Sequence, residues 1–497
     1  MTDRRLTYSF GPLERRGILG PVRLGQAAVI ATAGIVAIAT LDEVPSAAGA
    51  FVATVLVATA LAACFAPLAG RTLEEWLPVC ASFVVRRRGA RRWRSPVAVA
   101  GSVARGVGRR GLRLTGPSPK APPALRDVEL ISATYRGRTV GVLAQQSGRR
   151  LTSVLACRVS AFSLLDPEAQ ERRLARWGLV LSGAGGTAIR RIQWLERTAP
   201  AQGDEMARWL HAERDPSVPQ RGTAMIESYL ELISTATKVT QEHEILLAVQ
   251  VDARRVRDRG AGAVMDALLE QTERVAGGIE AAEVTVLGAL SRGQLARTLR
   301  TAFDPYTRAE LAAVDAGDPG RDGLDATNAW PLATREGWDH FQSDGALHAT
   351  YWIGAWPRID VSPMFMDSLL GHGGAVRTVS VTFEPLATDR STRDVEAAVT
   401  RDRADRELRA RFGQSETARQ RQAAEATQRR EAELAAGHAE VRLSGFVTVS
   451  GRDGDELRRA CSEVGDHAAR ARLELHRLYG QQADAFTFTL PLCRGLR

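Results

Sequence analysis

Apolar residues along this chain fall into distinct regimes, and the first is the simplest. Residues 24–41, "LGQAAVIATAGIVAIATL", and 46–68, "SAAGAFVATVLVATALAACFAPL", form runs of 18 and 23 residues without a charge. At about 1.5 Å per residue each reaches roughly 30 Å, the thickness of a hydrocarbon core. The pattern predicts a two-helix transmembrane hairpin over residues 23–70, preceded by a short segment, 1–22. Residues 71–95, "RTLEEWLPVCASFVVRRRGARRWRS", change register: Leu73, Trp76, Leu77, Cys80, Phe83 and Val84 recur at helical spacing, and Thr72 with Glu75 has the form of a capping box. Pro78 removes a helical hydrogen bond, so the expectation is a bent interfacial elbow. Periodicity vanishes over 96–124, a Gly/Arg/Pro linker ending in "TGPSPKAPP".

Beyond the linker, residues 125–390 alternate between strand and helix periods. "DVELISATYRG" and "RTVGVLAQQSG" predict a hairpin, and "RLTSVLACRVSAF" a further strand. A helix over about 166–181, a strand at "TAIRRIQWLER" and helices near "GDEMARWLHAE" and "GTAMIESYLELIST" come next. The strand "HEILLAVQVD", the helix "AVMDALLEQTERVAGGIE" and the strand "EVTVLGAL" complete the series. In "ALHATYWIGAW" alternation predicts a strand with Tyr351 and Ile353 on one face and Trp352 and Gly354 on the other, which makes the aromatic cluster core or interface rather than a base-stacking platform. Residues 391–436 predict one long charged helix, capped by Ser391 and Asp394, with a thin stripe of Val395, Val399, Leu408 and Phe412. Residues 437–497 return to the body. The fold class is therefore a mixed α+β (α/β) cytoplasmic domain behind an N-terminal hairpin.

Charge sharpens this division. The net charge is +9, yet residues 1–124 hold 17 Lys and Arg against 6 Asp and Glu, while the remaining 373 residues hold 49 against 51. The near-neutral body lacks the overall basic character expected of a nucleic-acid-binding domain. Arg15, Arg16 and Arg23 precede the first run and Arg86, Arg87, Arg88, Arg91, Arg92 and Arg94 follow the second, whereas the turn carries only Asp42 and Glu43. The positive-inside rule then places both ends in the cytoplasm. Trp76 and the six arginines from Arg86 to Arg94 are the predicted membrane-anchor residues, the tryptophan at headgroup depth and the guanidiniums against anionic lipid.

Catalytic signatures do not emerge. Neither lysine, Lys120 or Lys238, sits in a GxxxxGK[ST] loop. "GHGG" at 371–374 lacks a GxSxG partner, His243–Glu244 lacks the second histidine of HExxH, and Gly183, Gly185 and Gly186 read as a loop. Five scattered cysteines (64, 80, 157, 461, 493) form no CxxC, and His340 and His348 have no third ligand at a recognisable spacing. No catalytic residue, metal or cofactor is expected.

The stretch "FGPLERRGILGPVRLGQ", the two runs and "RTLEEWLPVCASFVVRRRGARRWRSP" resemble the PrgI-like inner-membrane subunits of Gram-positive conjugation and type IV secretion machines, in an actinobacterial version, over about the first 100 residues. The rest resembles the N-terminal, non-catalytic domain of conjugation ATPases, through "QWLERTAPAQGDEMARWL", "QEHEILLAVQVD", "AAGHAEVRLSGFVTVSGRDGDELRRACSEV" and "LELHRLYGQQADAFTFTLPLCRG". In those ATPases a comparable "LPL" segment leads into the nucleotide-binding domain, whereas here the sequence stops at Arg497. The resemblance implies a non-catalytic membrane subunit that docks a separate hexameric P-loop ATPase. Other channel subunits and membrane lipids are the further partners implied, in an oligomeric complex without direct nucleic-acid contact. Two alternatives stand beside it: an EccE-like subunit of a type VII secretion system, and a membrane-bound enzyme with an unrecognised site.

Overall fold

The computed structural model describes residues 24–65, 71–86, 92–95, 121–159, 162–200, 241–258, 260–308, 323–357, 359–371, 373–411, 418–435 and 439–496, with isolated positions at 224, 228, 231, 310 and 311. The chain divides into a small unit within Gly11–Arg91 and a large one beginning at Arg92.

The small unit contains α1 (Leu24–Glu43), α2 (Ala47–Phe65) and α3 (Leu73–Arg86). A three-residue turn folds α2 back on α1, and the Gln26 amide donates to the Cys64 carbonyl at 2.8 Å, tying the start of one helix to the end of the other. Small side chains, Ala33, Ala37 and Ala53, are buried along the contact, the composition that lets two helices approach closely. Thr32, Thr40, Thr54 and Thr59 donate to carbonyls four residues back, so their hydroxyls need no external partner. Large apolar side chains point the other way: Ile35, Ile38 and Phe51 are 69%, 70% and 71% exposed.

α3 begins as the sequence predicts, with the Thr72 amide donating to the Glu75 carboxylate at 3.1 Å. Pro78 lies inside it, and helical geometry continues to Arg86. The single apolar stripe expected here splits in two. Trp76 and Val79 are buried and Phe83 is half-buried, whereas Leu77, Val84 and Val85 stand exposed.

The large unit is organised around one 13-stranded sheet in which every pairing among the described residues is antiparallel. Its first half runs β2 (Val128–Tyr135), β3 (Arg138–Gln145), β4 (Arg150–Arg158), α4 (Pro167–Gly183), β5 (Ile189–Pro200), β6 (Gln241–Asp252), α5 (Ala261–Ala281), β7 (Thr285–Ala289) and α6 (Arg292–Phe303). The second runs β8 (Ala333–Glu336), β9 (Phe341–Ser343), β10 (Ala346–Ala355), α7 (Asp367–Leu370), β11 (Val376–Pro385), β12 (Val441–Gly451), α10 (Gly454–Arg470), β13 (Glu474–Arg477) and α11 (Gln482–Phe486). Between β11 and β12 stand α8 (Thr388–Arg411) and α9 (Ala418–Ala435); a short strand, β1 (Arg92–Arg94), precedes everything else in the unit.

These halves repeat one topology. Sheet order is β2-β3-β4-β6-β5 in the first, with β7 on β4, and β8-β9-β10-β12-β11 in the second, with β13 on β10. α5 packs on β6, β4 and β7 as α10 packs on β12, β10 and β13, and α4 meets α5 as α7 meets α10. Both long helices end alike: Glu283 and Arg472 take left-handed φ values of 62° and 59°, and the next amides, of Val284 and Leu473, return to the carbonyls of Ile279 and Ala468. That six-to-one bond is the Schellman closure, here without glycine. Antiparallel pairing of β5 with β11 joins the halves about an approximate dyad.

Alternation along each strand builds three layers. In β6, Leu246 and Ala248 enter a core with α6 residues Leu295, Leu299 and Phe303. Leu247 and Val249 face oppositely, with α4 and α5 residues Leu181, Val275 and Ile279. Val447 and Val449 of β12 face α10 through Leu457, Val464 and Ala468. Tyr351 and Ile353 join that helix-side core, Trp352 packs with Phe446 and Leu478, and Phe341 belongs to the core beneath α6. The added Cβ of an alanine at Gly354 would lie 1.8 Å from the His476 ring, so glycine there makes room for the imidazole.

The single helix expected over 391–436 is instead two, α8 and α9, which pack on each other. Ser391 is not a cap but a buried residue within α8. Val395 and Ala398 are buried and Val399 half-buried; Phe412 and the expected helix at 203–213 lie outside the described residues, while Ala224, Ser228 and Glu231 are helical.

Candidate functional site

The most elaborate polar construction lies beneath the C-terminal segment, where it crosses the junction of the two halves. Leu490 and Leu492 are fully buried in the core under α6. Around them the sheet presents polar side chains at inward positions that alternation would fill with apolar ones. Gln145 of β3 and Gln250 of β6 both donate to the Leu492 carbonyl, at 3.0 and 3.1 Å. Gln193 of β5 accepts from the Cys493 amide at 2.7 Å and donates to the Phe488 carbonyl and Ser380 hydroxyl. Arg191 donates to the carbonyls of Cys493 and Leu496, at 3.0 and 2.9 Å, and pairs with Glu384. Arg494 completes the lock through Asp127 at 2.6 Å and the Ala124 carbonyl at 2.8 Å. These side chains satisfy buried backbone groups of a segment that is assigned to no strand, so the seam holds the C-terminal segment in place.

Ionic groups cluster at both ends of the central strands. Arg197, almost fully buried, donates to Glu244, the Thr298 carbonyl and Thr301. Arg308 binds Glu242 and Glu244 at 2.9 and 3.3 Å. His243 meets Glu196 and Thr198 at 3.2 and 3.3 Å, so the His243–Glu244 pair serves two separate structural contacts. At the opposite end Asp252 is shared by Arg149, Arg150 and Arg190. Burial pushes its carboxyl up, but the Arg254 amide and the guanidiniums of Arg149 and Arg190 outweigh that and hold it below the usual carboxylate range.

Two buried thiols and the "GHGG" turn can be judged from their surroundings. Burial raises the Cys157 thiol to about 11 and the Cys493 thiol to about 12, far from thiolate reactivity. In the "GHGG" turn, Gly373 has φ +104° and the Glu463 carboxylate fills the space beside it, 2.1 Å from where a Cβ would be. Glu463 also accepts from the Ala375 amide at 3.3 Å, so a carboxylate stands where an oxyanion hole would need donors. Among the described residues no group of three or more His, Cys, Asp or Glu side chains is placed to hold a metal. His340 bonds to Asp339, whereas His348 is buried between Ser343 and Ser450.

The predicted anchor residues separate. Trp76 is buried on α3 with the Arg71 guanidinium over its ring at 5.6 Å, rather than projecting outward. Arg86 ends that helix, and Arg87, Arg88 and Arg91 lie outside the described residues. Arg92 and Arg94 belong not to an elbow but to β1, which extends the large sheet by pairing with β8. Directly opposite Arg92 stands Arg335, a residue that sequence reasoning did not single out because its neighbour is about 240 positions away. The seam glutamines were missed too, although each is an isolated amide in an otherwise apolar strand, in "GVLAQ", "RIQWL" and "LLAVQV". No family model matches the chain, and comparison with curated proteins likewise gives no match.

Proposed function

We propose that the chain is a non-catalytic inner-membrane subunit of a conjugation or type IV secretion-like translocation machine, which anchors and docks a separate hexameric P-loop ATPase. One observation carries the membrane part. Two helices are long and apolar enough to cross a bilayer, and only 11% and 17% of their apolar windows are buried. A core helix of a water-soluble domain would be covered by protein; these present Ile35, Ile38 and Phe51 outward, as a lipid-facing hairpin does. Acidic residues at the turn and arginines on both flanks favour cytoplasmic termini.

Docking rests on the resemblance of residues 125–496 to the non-catalytic domain of conjugation ATPases, and on the character of the large unit. Its polar clusters are built largely from contacts within the unit, burial raises the pKa of its thiols, and α8 with α9 carries a dense pattern of arginine and glutamate suited to a protein partner. The test is co-purification. Membranes containing the full chain are washed with alkaline carbonate, solubilised, and the chain is captured in the presence of the candidate ATPase. Retention through the wash with recovery of the ATPase supports the reading. Release by carbonate defeats the membrane assignment, and retention without the ATPase defeats docking alone.

A further inference from the structure

The edge formed by β1 and β8 gathers positive charge from two distant parts of the sequence. In the antiparallel register Arg92 faces Arg335 and Arg94 faces Ala333, which puts the side chains of Arg92, Arg94 and Arg335 on one face of the sheet. All three are exposed. They line a shallow depression of about 330 Å³, with Gln342 and Asp344 at its side. Asp344 does not neutralise them, because it is taken by the Arg300 guanidinium and by the amides of Leu332 and Ala333, at 2.9 and 3.0 Å. Among the described residues Arg92, Arg94 and Arg335 form no ion pair.

Like charges directly opposed across a strand pair destabilise it, and β1 is only three residues long. A bound oxyanion reverses that cost, since guanidiniums match phosphate with paired, charge-assisted hydrogen bonds. The position in the chain selects the anion. β1 starts six residues after α3 ends and 27 after the last residue of α2, so only a short stretch of sequence separates the first strand of the depression from the hairpin. Trp93 lies between the two arginines in sequence, is half-buried, and by strand alternation belongs to the opposite face of β1. We infer that Arg92, Arg94 and Arg335, assisted by the Gln342 amide, form a binding site for the phosphate of an anionic phospholipid headgroup. The site rests on the hairpin spanning the membrane, and it gives the large unit its own hold on the inner leaflet.

The experiment uses the full chain in zwitterionic detergent, titrated with short-chain phosphatidylglycerol, with inorganic phosphate, and with a single-stranded oligonucleotide. Wild type should bind phosphatidylglycerol in a salt-dependent manner, and R335Q and R94Q should each weaken binding about tenfold, equivalent to about 1.4 kcal/mol. R136Q, at an arginine that pairs with Glu273 far along the sheet order, should not. R335Q should melt no lower than wild type, because it removes a like-charge contact. Equal affinity for inorganic phosphate overturns the lipid assignment, as does R335Q-sensitive binding of the oligonucleotide alone. Unchanged lipid affinity in both variants overturns the site. Because Arg335 lies far from the hairpin in sequence, carbonate extraction of the same R335Q protein reports separately on membrane insertion, so a failed site and a failed anchor give different results.

Discussion

At His348 burial holds an imidazole neutral. Nε2 meets the Phe303 carbonyl at 3.0 Å and so carries the proton, leaving Nδ1 to accept from the Ser450 hydroxyl at 2.8 Å. Burial lowers its pKa to about 4, with the Phe303 carbonyl acting in the opposite direction. The unfolded chain takes up a proton below about pH 6.5, whereas the folded chain resists until about 4. Stability is therefore full above the ordinary histidine range and falls as pH drops, by about 2 kcal/mol between about pH 7.5 and about pH 5 from this group. In His348→Gln that increment should disappear from denaturant midpoints followed by tryptophan fluorescence; an unaltered pH dependence would refute the assignment. Gly141 poses a steric question at the same scale. A Cβ there would sit 2.6 Å from the Ser291 carbonyl group and 2.7 Å from the Arg292 amide, both backbone atoms at the start of α6. Gly141→Ala should cost about 1–3 kcal/mol, while Gly277→Ala, in open space within α5, should gain up to about 1 kcal/mol. Thermal melts of the two variants should move in opposite directions.

Elements differ in how much of their cause is local. The β2–β3 hairpin was legible because Arg136 and Gly137, both at positive φ, sit between two alternating runs. α4 announced itself through Asp166, whose carboxylate caps the Ala169 amide at 2.7 Å, followed by Pro167 at the first turn. β1 could not be read this way: "RWR" has the composition of a basic flank, and its strand geometry comes from β8. The α8–α9 pair was misjudged despite a usable signal. Between Arg411 and Ala418 the sequence offers Gly413 and Thr417, residue types that signal a helix stop and a helix start. The C-terminal segment lies between these extremes, for "LPLCRG" shows its apolar character but not the amides that receive it. Gln193→Ala removes the acceptor of the Cys493 amide and leaves that buried donor unpaired at about 1–3 kcal/mol, while the Phe488 carbonyl keeps the Ser380 hydroxyl. A C-terminal affinity tag should then be clipped faster by added protease at a concentration that spares the rest of the chain; unchanged clipping would show that the seam does not hold the segment.

On the scale of the molecule, the repeated topology explains why the sequence showed one long alternation of strands and helices rather than two domains. Equivalent elements share their place in the sheet and their left-handed helix ends, at Glu283 and Arg472, but few side chains, so no periodic motif survives in the sequence. Neither half is closed at β5 or β11, because each supplies the other's neighbouring strand and the seam crosses their junction. A body of this kind joins its halves through paired central strands and carries charged elements such as α8 and α9 between β11 and β12. The topology proposed for the membrane part has a direct consequence for labelling. With Cys80, the exposed native thiol, replaced by serine, a cysteine at Val44 in the hairpin turn should react with a membrane-impermeant maleimide in intact cells. One at Leu164, an 85% exposed position of the large unit, should react only after permeabilisation. Labelling of Leu164→Cys in intact cells, with Val44→Cys protected, would invert the orientation and remove the large unit from the compartment in which a cytoplasmic ATPase could reach it.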